Sequence, residues 1–157
     1  MARLGAEPTA EHRAVAVDLR AWPRALLDNG FDPSCPTAWI AEGLLVYLPP
    51  QAADQLFDDI TEYSAAGSHF AAEYIPATSA FSDTASFRRY GLTVDVSDLL
   101  YGGERSDVIE YLTARGWSLT VQTLPEAYAA NGFEMPDDDI FAAYADARIV
   151  SGVLERP

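Results

Sequence analysis

The feature that most restricts the fold is a repeated pairing of short apolar, β-prone runs with segments of helical periodicity. Ala14-Val-Ala-Val-Asp-Leu19 is the first run, Thr37-Ala-Trp-Ile-Ala-Glu-Gly-Leu-Leu-Val-Tyr47 the second and Ser68-His-Phe-Ala-Ala-Glu-Tyr-Ile75 the third. Such runs fit strands of a parallel sheet covered on both faces. Residues 22–29 read as a helix closed by Gly30. Residues 50–65 read as another, opened by Pro49-Pro50, with Ala53, Leu56, Phe57 and Ile60 at helical spacing and Gly67 beyond its end. Residues 77–100, with Phe81, Phe87, Tyr90 and Leu92, suggest one or two short helices that could form a lid.

Further along, residues 106–115 form an amphipathic helix with Val108, Ile109 and Leu112 on one face and Gly116 as its stop. Residues 117–124 alternate like a strand, residues 125–131 make a short helix, and residues 145–154 a last strand. The alternation predicts an α/β domain over residues 1–157 with a mainly parallel sheet, its last two strands forming an antiparallel edge. A chain of 157 residues fits one such domain.

Charge narrows the partners. There are 24 acidic residues against 10 basic ones, all arginine, for a net charge of -14. Such a surface repels phosphate backbones and anionic lipid headgroups, which argues against nucleic acid and membrane partners. The lone Cys35 cannot form an internal disulfide or a cysteine-rich metal site. No apolar run approaches the roughly 18 residues that span a bilayer. The first residues, Met1-Ala-Arg-Leu-Gly-Ala-Glu-Pro, lack the apolar centre of a signal peptide. A cytoplasmic protein is expected.

Ligands of open α/β sheets bind at the carboxyl ends of the strands, and three runs carry an acid there: Asp18, Glu42 and Glu73. Asp18 with the N–H of Leu19 suits an adenine edge; equally, it suits a helix N-cap or a solvated strand end. Glu42 sits in an apolar run beside Gly43, so burial would cost several kcal/mol unless it faces a cleft or has a dedicated partner. The three acids together could face a cationic sulfonium, an amine or a metal. No histidine falls near them, so no metal site is expected: His12 reads as exposed and His69 as a strand start. Tyr47, Tyr74 and Tyr101 fall at strand ends or loops where they could line a pocket. No nucleophile elbow is present, and Asp137-Asp138-Asp139 reads as a solvated loop. The strand–glycine-rich turn–helix unit that cradles a nucleotide is also missing.

The segments Val15-Ala-Val-Asp-Leu19, Trp22-Pro23, Phe31-Asp32-Pro33 and Thr37-Ala-Trp-Ile-Ala-Glu-Gly-Leu-Leu-Val-Tyr-Leu-Pro49 resemble the mycobacterial-type S-adenosylmethionine-dependent methyltransferases. That family is related to leucine carboxyl methyltransferases and polyketide O-methyltransferases. Ala72-Glu-Tyr-Ile-Pro76, Gly103-Glu-Arg105, Gly116-Trp117 and Asp146-Ala-Arg148 match as well. The resemblance implies a Rossmann-like class I methyltransferase sheet, of which this chain carries strands three to seven. The first two strands and the Gly-rich loop have no counterpart.

The resemblance further implies S-adenosylmethionine as cofactor, Asp18 and Leu19 on its adenine side, and Glu42 and Tyr47 in the segment beside the transferable methyl. The acceptor would be a small molecule methylated on oxygen or carboxylate. Without a central strand, the open sheet edge predicts self-association. A truncated, non-catalytic remnant and a binding module with an adenine pocket are the competing readings.

Overall fold

The computed structural model describes residues 9–19, 21–75, 99–101, 103–137 and 146–155. The lid helices expected over 77–100 lie outside the described residues apart from positions 99 and 100, as do Asp138 and Asp139 of the acidic loop. The chain divides into two compact units, residues 1–32 and 33–157.

In the first unit, helix α1 (Trp22–Asp28) starts with a proline in its first turn. At its end Asn29 Nδ2 donates to the Ala25 carbonyl at 2.8 Å. Arg13 donates to the Asn29 carbonyl at 2.8 Å and pairs with Glu11, a contact that holds Glu11 below the usual carboxylate range through their hydrogen bond and the Arg13 charge. The strand expected at Ala14-Val-Ala-Val-Asp-Leu19 is not formed. Residues 11–18 are irregular and mostly exposed, and no ladder among the described residues includes them. An apolar run becomes a strand only when a neighbour takes up its backbone N–H and C=O groups.

The second unit is a sheet with helices packed on it. Strand β1 (Ala38–Ala41) leads into a 3-10 turn (Leu45–Tyr47) and helix α2 (Pro50–Glu62). Strand β2 (His69–Tyr74), helix α3 (Val108–Thr113), strand β3 (Trp117–Thr123), helix α4 (Leu124–Ala130) and strand β4 (Arg148–Leu154) follow. The sheet order is β1-β2-β4-β3. Strands β1 and β2 run parallel, while β4 is antiparallel to both β2 and β3. The sheet is therefore mixed rather than mainly parallel. The expected antiparallel pairing of the last two strands exists, but β4 stands inside the sheet and β3 holds the edge. Ala147, Val150 and Leu154 are fully shielded, in keeping with that interior place.

One sheet face carries the core. Ala53, Leu56, Phe57 and Ile60 of α2, at the spacing read from the sequence, are buried with Phe70, Ala72 and Tyr74 of β2. Phe57, Phe70 and Trp117 form an edge-to-face aromatic row with centroids about 6 Å apart, an arrangement that adds ~0.5–1.5 kcal/mol per pair to area burial. The Trp117 indole N–H donates to Thr61 Oγ1 at 2.9 Å, and that hydroxyl donates to the Phe57 carbonyl. The Trp39 indole N–H donates to Ser64 Oγ, so the buried Trp117 and the half-buried Trp39 both have their polar edges satisfied.

Local chemistry sets the helix ends. Asp107 caps α3 by accepting from the Ile109 and Glu110 N–H groups, and Thr123 with Glu126 makes a reciprocal capping box on α4. Helix α3 is tied to α2 by Asp58, which accepts from Arg115 and from the Tyr111 hydroxyl. The Arg115 guanidinium lies 3.4 Å over the Tyr111 ring. Burial, then the Asp58 charge, pushes the Tyr111 phenol up against the opposing pull of Arg115. Among the described residues no helix is long and apolar enough to cross a membrane.

Candidate functional site

Because β1 and β2 are parallel, their carboxyl ends share one edge of the sheet. The register pairs Ala41 with Ala72, so Glu42 and Glu73 occupy equivalent steps at that edge. Two of the three acids read from the sequence are thus brought together by topology. Asp18 belongs to the first unit and to no strand; its carbonyl accepts from the Ala21 N–H at 2.9 Å in the turn entering α1.

Glu42 is exposed rather than buried. The apolar run around it is not one strand: β1 ends at Ala41, Gly43 reverses the chain at φ +57, and the run continues as the 3-10 turn. That left-handed conformation is costly for a residue with a Cβ. The reversal lets Leu45 turn into the core while Glu42 is left at the strand end in solvent. The desolvation penalty that its neighbours seemed to impose does not arise. Tyr47 ends the turn and is 43% exposed; Tyr101 is 49% exposed. Leu19 is exposed in the first unit.

The floor of this edge is a small apolar cluster. Ile75 and Ala147 are buried, and Val46, Leu100 and Leu124 pack on them. Beside it, Tyr74 closes β2, its phenol pushed up by burial and then by the Asp107 charge, with Arg105 acting in the opposite sense. A void of about 20 Å³ lies between Leu45, Phe57, Tyr74, Arg105 and Ser106. It has room for about one water, so a ligand would sit above this layer and not within it. Ser106 Oγ donates to Asp54 Oδ2 at 2.9 Å, closing the side toward α2.

Arg105 was legible only as part of a matching segment. Here its guanidinium donates to the carbonyls of Leu45 at 3.1 Å, Leu48 at 2.7 Å and Tyr101 at 2.8 Å. Nothing in its local sequence points to that role, since its three acceptors lie 4 to 60 positions away. Among the described residues no group of three or more His, Cys, Asp or Glu is placed to hold a metal ion.

Comparison with known proteins bears on what this edge serves. Residues 1–61 match the family model "Leucine carboxyl methyltransferase". A Mycobacterium marinum protein described as a "Putative S-adenosyl-L-methionine-dependent methyltransferase" is 52% identical over 99% of this chain and 54% of its own length. A Mycobacterium tuberculosis protein of the same description is 48% identical over 98% of this chain and 53% of its own. The chain thus spans about half the length of these relatives. Among solved structures, a DUF574 family protein from Streptomyces avermitilis aligns with a TM-score of 0.55 at 16% identity, over 88% of this chain and 53% of that one. A methyltransferase-titled structure from Thermobifida fusca gives 0.55 at 19%, over 89% and 53%. At such identities these two likenesses speak for the fold alone, and they agree with the Rossmann-like class I sheet that the sequence implied. By its sequence, matched along almost its whole length, the chain is similar to one half of the mycobacterial proteins described as S-adenosylmethionine-dependent methyltransferases and, over residues 1–61, to the leucine carboxyl methyltransferase family.

Proposed function

We propose that this chain is part of an S-adenosylmethionine-dependent methyltransferase that methylates a small-molecule acceptor on a hydroxyl or carboxylate oxygen. The observation that carries the reading is the 52% identity over 99% of the chain, with Glu42 and Tyr47 standing in the loop that leaves the carboxyl end of β1. On this reading residues 1–157 belong to one methyltransferase domain, and β1 to β4 stand for its strands four to seven. Asp18 and Leu19 contact the adenine, and Glu42 the cofactor near its sulfonium.

The reaction is an in-line displacement. Bound S-adenosylmethionine would supply a sulfonium methyl for transfer to an acceptor oxygen, the electron pair of the broken carbon–sulfur bond leaving with sulfur as a neutral thioether. Alignment of the reacting atoms supplies most of the acceleration, while a carboxylate near the sulfonium serves to bind and orient the cofactor. Glu42, exposed at the strand end, can face that positive charge or accept the proton of a hydroxyl acceptor. Tyr47 offers a half-exposed ring face and a phenol to the acceptor.

Calorimetric titration with S-adenosylmethionine and S-adenosylhomocysteine tests this. Binding is expected, and Asp18→Ala should weaken it by about tenfold, the loss of one hydrogen bond to a ligand. Asp28→Ala, at an exposed helix position paired with Arg24 at 3.4 Å, should leave it unchanged. A folded chain that binds neither compound refutes the reading; equal effects of the two substitutions remove Asp18 from the site. A second reading, a module that binds the cofactor without turning over, predicts binding but no methyl transfer to any acceptor.

Self-association belongs to the same proposal. Strand β1 holds one edge of the described sheet, and Ile40 on it is 72% exposed, the kind of edge that invites pairing. Sedimentation velocity should show a concentration-dependent dimer that Ile40→Lys abolishes; a wild-type chain that stays monomeric at all concentrations would dismiss the idea.

A further inference from the structure

The loop over residues 42–48 carries the two groups proposed for the transfer, yet its own local chemistry holds it weakly. Its 3-10 turn has no side-chain cap, and Gly43, at φ +57, stands just before it with no side chain to pack. Within the turn the Leu45 carbonyl accepts only the Leu48 N–H, at 3.3 Å, and carbonyls at the end of such a turn have spare acceptor capacity. Arg105 adds donors from far along the chain, through Nη1 to Leu45 O at 3.1 Å and through Nη2 to Leu48 O at 2.7 Å. The same Nη2 reaches Tyr101 O at 2.8 Å, and the Tyr101 N–H donates to Val46 O at 3.3 Å. Among the described residues no carboxylate lies within ion-pair distance of Arg105, although this chain has 24 acidic residues. The guanidinium is spent on main-chain oxygens.

We propose that Arg105 is a positioning residue: a latch that fixes the 42–48 loop and locks it to the segment carrying Tyr101, so that the two move as one piece. Its chemistry is specific. A planar fork of donors reaches three carbonyls held at fixed angles, whereas a lysine ammonium would satisfy one or two and leave the rest to water. The latch also places the half-exposed Tyr47 and Tyr101 on two segments whose spacing Arg105 sets. Its consequence for catalysis rests on the methyltransferase reading; the latch itself does not.

Amide hydrogen exchange on the full 157-residue chain, resolved by residue and carried out on Arg105→Lys and Arg105→Ala, tests it. Tyr47, Leu48 and Tyr101 donate their N–H groups to Leu44, Leu45 and Val46 carbonyls, so these three amides report the latch. They are expected to exchange at least about tenfold faster in both variants, with the sheet amides of Phe70 and Val150 unchanged within about twofold. Full protection in Arg105→Lys would show that charge alone suffices and would overturn the fork. Equal acceleration of loop and sheet would make Arg105 a general stabiliser and would also overturn the latch, as would unchanged loop amides. If Arg105→Ala does not fold, Arg105→Lys decides by the same criteria. A parallel titration with S-adenosylhomocysteine separates the two proposals. Binding by the wild type that weakens about tenfold in Arg105→Lys supports both. Absence of wild-type binding refutes the methyltransferase reading, while the exchange data still judge the latch.

Discussion

Replacing Phe70 with alanine is expected to destabilise the chain by about 3–5 kcal/mol, the usual loss when a fully buried aromatic ring is truncated in a core. Phe70 is 1% exposed and lies in the middle of the aromatic row, 6.0 Å from Phe57 and 5.9 Å from Trp117. Its removal deletes apolar burial, two ring–ring contacts and the support beneath α2 at once. Since domains rest on a net ~5–15 kcal/mol, this one change removes a large part of the total. Urea denaturation followed by tryptophan fluorescence measures it. Ile40→Ala, on the opposite sheet face, serves as the control and should shift stability by less than about 0.5 kcal/mol. A Phe70→Ala chain that loses less than Ile40→Ala would show that the aromatic row is not the centre of the core.

Gly152→Ala follows, and here two effects of opposite sign compete. An added methyl stiffens the unfolded chain and would stabilise by ~0.4–1 kcal/mol where there is room. There is none: a Cβ at Gly152 would lie 2.4 Å from the Ser118 carbonyl oxygen and 2.6 Å from a Leu119 methyl. Leu119 pairs with Gly152 across the β3–β4 ladder, and its side chain occupies the space a Cβ would need. Backbone can yield only by separating the strands. Overpacking of this kind costs ~1–3 kcal/mol or more, so the clash wins. A fall in Tm of roughly 5–10 °C is expected for a chain of this size, read by thermal circular dichroism. Gly152→Ala with an unchanged or higher Tm would mean that β3 and β4 are not in this register.

Helices and strands with strong periodic signals were legible from the residues. The α2 face of Ala53, Leu56, Phe57 and Ile60, the proline starts and the strands at 69–74, 117–123 and 148–154 follow from local patterns. Sheet order was not, because β4 enters between β2 and β3 by long-range burial that no local pattern encodes. The run 14–19 misled for a related reason: apolar composition permits a strand but does not supply its neighbour. Glu42 misled through Gly43. The run looked continuous, yet one residue at positive φ divided it and turned a buried acid into an exposed one. Glu42 and Glu73 could be placed at one edge from the sequence, since parallel strands align their ends. Arg105 could not be given its role, since reaching three carbonyls 4 to 60 positions away is a property of the assembled fold.

The position of β4 has a consequence for how the chain is made. Synthesis delivers β1, β2 and β3 before β4, but β3 has no place beside β2 until β4 arrives to bridge them. While the ribosome is still at work, Trp117 and its strand lack their Leu154 partner, and two strand borders are open at once. The described sheet can be completed only once β4 has emerged and paired on both of its sides. Nascent chains paused before residue 148 should therefore be the ones that chaperones and proteases see.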